Sequence, residues 1–147
     1  MQALVLVGGK GTRLRPLTLE TPKPALTLVD RPFLNYMTEW LGSHGVDEVI
    51  LACGFLPDEL KKVLGDGEPG GPKLKYVVEE ETLGTAGAIR FALEYLDERF
   101  FALNGDVLAD LVGVQRVAGI AHHGTRLIRG LELAFAVDAE AGGRLMR

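Results

Sequence analysis

Cysteine is nearly absent from this sequence. Cys53 stands alone among 147 residues, which rules out an internal disulfide framework. Aromatic residues are sparse at 7%, and the net charge is −4. No basic stripe interleaves with aromatics, which together with the charge argues against a dedicated nucleic-acid binder. No apolar run approaches the roughly 20 residues that a membrane-spanning helix requires. The N-terminus enters an apolar segment without the charged-then-apolar pattern of a secretory leader. There is no internal repeat. These absences set the expectation of a cytoplasmic protein with neither nucleic acid nor membrane among its partners. By length the chain is one domain, able to bury roughly 70% of its unfolded surface.

What is present is concentrated in residues 8–24. They read Gly8-Gly9-Lys10-Gly11-Thr12-Arg13-Leu14-Arg15-Pro16-Leu17-Thr18, then Thr21-Pro22-Lys23-Pro24. The preceding Ala3-Leu4-Val5-Leu6-Val7 is an unbroken apolar run. Such a run, stopped by glycines, predicts a strand buried on both faces of a parallel sheet. The glycines then sit at the carboxyl edge, where open α/β sheets bind ligands. Successive glycine amides make a concavity that favours anions. Lys10, Arg13, Arg15 and Lys23 supply cations beside it, and guanidinium and ammonium groups suit a polyphosphate. The same composition also describes an ordinary surface turn with solvated charges. A Walker A loop is absent, and Leu14 occupies the third glycine place of a dinucleotide fingerprint, which argues against NAD.

The rest of the chain alternates between strand and helix patterns. Asp30 is a candidate helix cap and Pro32 a first-turn residue. Phe33, Met37, Trp40 and Leu41 follow on one helical face, and Gly42 and Gly45 mark the exit. Val49–Gly54 reads as a second strand, in which Cys53 is a buried small hydrophobe. Pro57 opens a helix through Leu64, and a turn covers Gly65 to Pro72. Leu74–Val78 reads as a third strand. Ile89, Leu93 and Leu96 share a helical face, and Phe100–Leu103 reads as a fourth strand. This alternation predicts an α/β fold, a Rossmann-like, mostly parallel sheet with helices on both faces.

Two further constellations fall at strand ends. Glu79-Glu80-Glu81 precedes Thr82-Leu83-Gly84-Thr85-Ala86-Gly87. Charge runs are usually solvated, yet this one lies at a carboxyl edge. Asn104-Gly105-Asp106 ends the fourth strand. It reads equally as an ordinary turn and as a carboxylate for Mg²⁺, which prefers one or two carboxylates plus phosphate oxygens. Asp110 is a weaker candidate behind it.

Taken together, the residue 8–24 motif resembles the signature of the sugar-1-phosphate nucleotidyltransferases, in pattern nearest the mannose-1-phosphate guanylyltransferases. The resemblance implies transfer of a nucleotidyl group from an NTP to a sugar 1-phosphate, giving an NDP-sugar and pyrophosphate. It implies Arg13 and Lys23 as catalytic residues, Arg13 on the transferring phosphoryl group and Lys23 on a phosphate. Leu6, Gly8, Gly9, Gly11, Thr12 and Arg13 join the nucleotide-binding set, with Glu79, Gly84 and Thr85 at the base. Asp106 is implied as the Mg²⁺ ligand. NTP and sugar 1-phosphate are the implied partners, and a homo-oligomer is allowed. At the Glu79 position a carboxylate accepts hydrogen bonds but donates none. Guanine offers adjacent N1–H and N2–H₂ donors, whereas thymine and uracil offer one donor flanked by carbonyls, so the expected nucleotide is GTP.

The resemblance covers roughly residues 2–111, the expected nucleotide-binding portion. Residues 112–147 carry five arginines and no lysine and read as a divergent or truncated segment of an incomplete domain. A helix to about Gly124 and a strand near Leu133–Val137 are expected there. His122-His123 lacks supporting metal ligands. A chain that keeps the nucleotide half and lacks the sugar half admits a second reading, a truncated or regulatory nucleotide-binding module without catalysis.

Overall fold

The computed structural model describes residues 1–81, 83–107 and 134–138. The expected helix to about Gly124, the boundary at residues 111–112, Asp110 and the His122-His123 pair lie outside the described residues.

The apolar run at the N-terminus forms β1 (Gln2–Leu6), in which Ala3, Leu4 and Val5 are fully buried. It occupies the centre of a five-stranded sheet. After β1 a short hairpin pairs β2 (Thr27–Leu28) with β3 (Arg31–Pro32). Then come α1 (Phe33–Ser43), β4 (Glu48–Cys53), α2 (Pro57–Leu64), β5 (Lys73–Val78), α3 (Gly84–Ala92), β6 (Arg99–Asn104) and β7 (Ala134–Asp138). The order in the sheet is β5-β4-β1-β6-β7. All neighbours are parallel except β7, which runs antiparallel to β6.

Period-two alternation in the strands splits the core into two layers. Ala3 and Val5 of β1 align with Val49 and Leu51 of β4 and with Phe101 and Leu103 of β6. This face is covered by Leu34, Met37 and Leu41 of α1 and by Leu60 and Leu64 of α2. Leu4, Ile50, Ala52, Phe100 and Ala102 point the other way and meet Ala88, Ile89 and Ala92 of α3. The expected helices on both faces are therefore present. Burial of that order, on both sides of β1, is why its sequence is apolar without alternation.

The start of α1 differs from the sequence expectation. Asp30 does not cap it. The chain first forms the hairpin, which consumes Arg31 and Pro32, and Pro32 becomes the N-cap without a side-chain acceptor. The Phe33 N–H is donated instead to the Leu26 carbonyl at 3.0 Å. The Asp30 carboxylate accepts the Tyr36 phenol, which also reaches the Leu28 carbonyl at 3.0 Å. Trp40 and Phe33, expected on the buried face, pack at its margin, while Leu34 and Thr38 are buried.

Candidate functional site

The chain leaves β1 for β4 on one side and later returns to β6 on the other. The connections that leave the carboxyl ends of the paired strands β1 and β6 therefore run to opposite sides, and such a switch point is where open α/β sheets place ligands. The Gly8–Gly11 loop follows β1, and Asn104-Gly105-Asp106 ends and follows β6. A cavity of about 520 Å³ opens between them.

Close backbone approach shapes its floor. The Val7 N–H is donated to the Ala52 carbonyl at 2.9 Å, and the Gly105 N–H to the Leu6 carbonyl at 2.9 Å. A Cβ on Gly105 would stand 2.5 Å from Val7 Cγ1 and 3.0 Å from the Leu6 oxygen. Glycine is thus required there by space. Gly11 is required by conformation, with φ +57°, a left-handed backbone that side chains disfavour. From Gly11 the chain enters a single turn of 3₁₀ helix, Thr12–Leu14, which carries Arg13.

Every residue assigned to the site from the sequence lines this cavity: Leu6, Gly8, Gly9, Gly11, Thr12, Arg13, Lys23, Glu79, Gly84, Thr85 and Asp106. The structure also sorts the four loop cations. Arg13 and Lys23 face the cavity, whereas Lys10 and Arg15 do not line it. Arg13 forms no ion pair with a described residue. Lys23 Nζ lies 2.7 Å from Asp106 Oδ2. The residue expected on a phosphate and the residue expected on the metal thus neutralise each other. No sequence signal spans the separation between them.

The three glutamates part company. Glu79 is 8% exposed and lines the cavity, while Glu80 and Glu81 are exposed and do not line it. Glu79 Oε2 accepts the Leu83 N–H at 3.3 Å, which ties the carboxylate to the segment that opens α3. Behind it, burial first and the Glu79 charge second push the Cys53 thiol up to about 12. A thiol held protonated in this way is no nucleophile, in keeping with its reading as core.

Sequence reasoning missed Ala52, Ala88 and Pro24 as lining residues. Ala52 and Ala88 belong to the core pattern, and small size alone lets a ligand approach them. Among the described residues, no three His, Cys, Asp or Glu side chains gather as a metal cage. Asp106 offers a single carboxylate at the cavity edge. That donor set fits Mg²⁺ carried on a polyphosphate, which needs one or two carboxylates and takes its other ligands from phosphate and water.

A family model described as nucleotidyl transferase matches residues 2–128. The chain belongs to the nucleotidyl transferase family. It is 44% identical over 128 residues to the mannose-1-phosphate guanylyltransferase catalytic subunit beta of Xenopus tropicalis, covering 84% of this chain and 36% of that protein. It is 41% identical over 111 residues to the D-glycero-alpha-D-manno-heptose 1-phosphate guanylyltransferase of Campylobacter jejuni, covering 76% of this chain and 50% of that one. Among solved structures, HddC from Yersinia pseudotuberculosis complexed with GMP-PN superposes with a TM-score of 0.70 at 31% identity, over 80% of this chain and 52% of that chain. The chain thus spans between about a third and a half of the length of these proteins. The family expected from the residue 8–24 motif and the mostly parallel fold expected from the strand–helix alternation are both found.

Proposed function

We propose that this chain carries the nucleotide-binding part of an enzyme that transfers a nucleotidyl group from GTP to a sugar 1-phosphate and releases pyrophosphate. One observation carries the reading. Glycine amides, Arg13, Lys23, Asp106 and a buried Glu79 converge on a single cavity at the switch point of the sheet. The relatives named as guanylyltransferases of mannose 1-phosphate and of a heptose 1-phosphate support it.

The reaction is an in-line attack by a sugar phosphate oxygen on the α-phosphorus. Two anions must meet, so the protein's work is positioning and charge neutralisation. The glycine loop presents backbone N–H groups to the triphosphate. Arg13 forks onto the transferring phosphoryl group and the leaving pyrophosphate, a geometry that its planar guanidinium permits. Lys23 neutralises the attacking sugar phosphate or the α-phosphate. A phosphate that draws Lys23 away leaves the Asp106 carboxylate free for a cation. Mg²⁺ held there neutralises phosphate charge when bound. Glu79, tied by Leu83, presents its carboxylate to the two adjacent donors of guanine. A cytoplasmic setting, where NTPs are supplied, goes with this chemistry.

The test is a matrix of GTP, dTTP and UTP against a panel of sugar 1-phosphates, run on this chain and on any extended version of it and read as pyrophosphate release. Release with GTP that requires one sugar 1-phosphate is the expected result. Nucleotide binding with no release under any pair overturns transfer and leaves a binding module.

A further inference from the structure

The loop between β1 and α1 reverses the usual rule of burial at one place. Thr18 is 1% exposed, while its neighbours Leu17 and Leu19 are 65% and 57% exposed. Apolar side chains left in water and a hydroxyl taken out of it are both unfavourable. The arrangement therefore needs a compensating contact, and the structure shows one. Thr18 Oγ1 donates to the Gly11 carbonyl at 2.8 Å. The methyl lies against the same residue, since a Cβ on Gly11 would stand 2.9 Å from Thr18 Cγ2. The Gly11 carbonyl also accepts the Leu14 N–H at 2.9 Å, which closes the 3₁₀ turn carrying Arg13.

A trans peptide holds its C=O and the following N–H in opposite directions. Pinning the Gly11 carbonyl to buried Thr18 therefore turns the Thr12 N–H away from it. Thr12 lines the cavity, and its N–H has no acceptor among the described residues. A flipped peptide at this point would present a carbonyl where phosphate oxygens are expected, and like partial charges repel.

We propose that Thr18 is a positioning residue for the triphosphate: its hydroxyl holds the Gly11 turn so that the loop amides and Arg13 meet the phosphates. The inference rests on the proposed function above. Thr18 itself touches no phosphate. It acts through Gly11, which its hydroxyl bonds and its methyl packs against.

Binding of inorganic tripolyphosphate and of guanosine to the whole chain, by calorimetry, tests the inference. Thr18→Val keeps the shape and removes the donor, and Thr18→Ser keeps the donor. Thr18→Val is expected to weaken tripolyphosphate about tenfold, the loss of one well-made hydrogen bond, with guanosine unchanged. Thr18→Ser is expected to stay near wild type. Equal tripolyphosphate affinity in Thr18→Val overturns the proposal, and so does parallel loss of both probes, which marks a merely structural role. A wild type that binds neither probe overturns the functional reading itself. If Thr18→Val does not fold, Gly11→Ala alone and combined with Thr18→Ser decides the matter. Removing Cγ2 relieves the 2.9 Å contact, so the double variant should recover part of the tripolyphosphate affinity lost in Gly11→Ala. No recovery counts against the clamp.

Discussion

The two ends of the sheet treat polar groups in opposite ways. At the amino end of β1 they satisfy one another. Gln2 Nε2 donates to Glu48 at 2.5 Å, and Gln2 Oε1 accepts the Asp97 N–H at 2.6 Å. The terminal amine pairs with Asp47, whose N–H returns to the Met1 carbonyl at 2.9 Å. At the carboxyl end the groups are left available. Arg13 has no described carboxylate partner, Glu79 spends one oxygen on Leu83, and Lys23 and Asp106 form an exposed pair that ligand charges can exchange. Closure at one end holds the fold, and the groups left available at the other line the cavity. Exposed pairs contribute little to stability, so the Lys23–Asp106 pair can be altered with small effect on folding.

The sharpest break of that contrast is at Arg13. Arg13→Ala is expected to lower kcat/KM roughly hundredfold to thousandfold, as removal of a transition-state donor does, with the urea midpoint unchanged. Arg13→Lys should recover little, because an ammonium lacks the fork. Near-normal steady-state kinetics in Arg13→Lys would remove the bidentate role.

Next comes Asp106→Asn, which keeps shape and removes charge. NTP affinity titrated against Mg²⁺ should lose its metal dependence by about tenfold or more, on the scale of one charged interaction. An unaltered dependence would place the metal on other residues. Of similar or smaller size is Glu79→Gln. The amide still accepts the Leu83 N–H, so the loop keeps its tie, but the carboxylate is gone. Competition of GTP with dTTP and UTP should narrow or reverse by about tenfold. Preferences identical in wild type and in each Glu→Gln variant at 79, 80 and 81 would mean the base is read by backbone alone.

The closed end should answer in the other currency. Gln2→Ala is expected to lower unfolding stability by about 1 kcal/mol through its lost hydrogen bonds, with NTP affinity unmoved. A variant that lost affinity and kept its stability would erase the distinction between the two ends. The last effect, confined to alkaline pH, is at Cys53. Burial lifts its thiol from the ordinary 9.0 to about 12. Below pH 9 the thiol is protonated in both folded and unfolded chains. As pH rises from about 9 towards 12 the unfolded chain ionises first, so this contribution to stability is lost across that window. Urea midpoints measured across it should fall more steeply in wild type than in Cys53→Ala.

Much of this was readable from residue order because it depends on local pattern. β1, β4 and β6 fall within a residue or two of their apolar runs, since burial on both faces demands unbroken apolarity. The loop that follows β1 reads as an anion site because glycines and cations are packed into one short stretch. Asp30 shows the limit. A capping residue before a proline is a sound local signal, yet the hairpin formed by residues 27–32 moved the helix start past it. Thr18 shows another, because its neighbours are more apolar than it is and pattern alone places it outside.

The sequence by itself determined the alternation of strands and helices, the glycine loop and the acidic residues at strand ends, all features written within a few consecutive positions. Tertiary structure alone decided which distant residues meet. The order β5-β4-β1-β6-β7 brings the ends of β1 and β6 together as the walls of one cavity. It sets Lys23 against Asp106, 83 positions apart, at 2.7 Å. It also chooses Glu79 over its two neighbours: the Glu79 N–H still donates to the Cys53 carbonyl at 2.8 Å and its side chain lines the cavity, whereas the chain bends away from the sheet at Glu80 and Glu81, which are exposed.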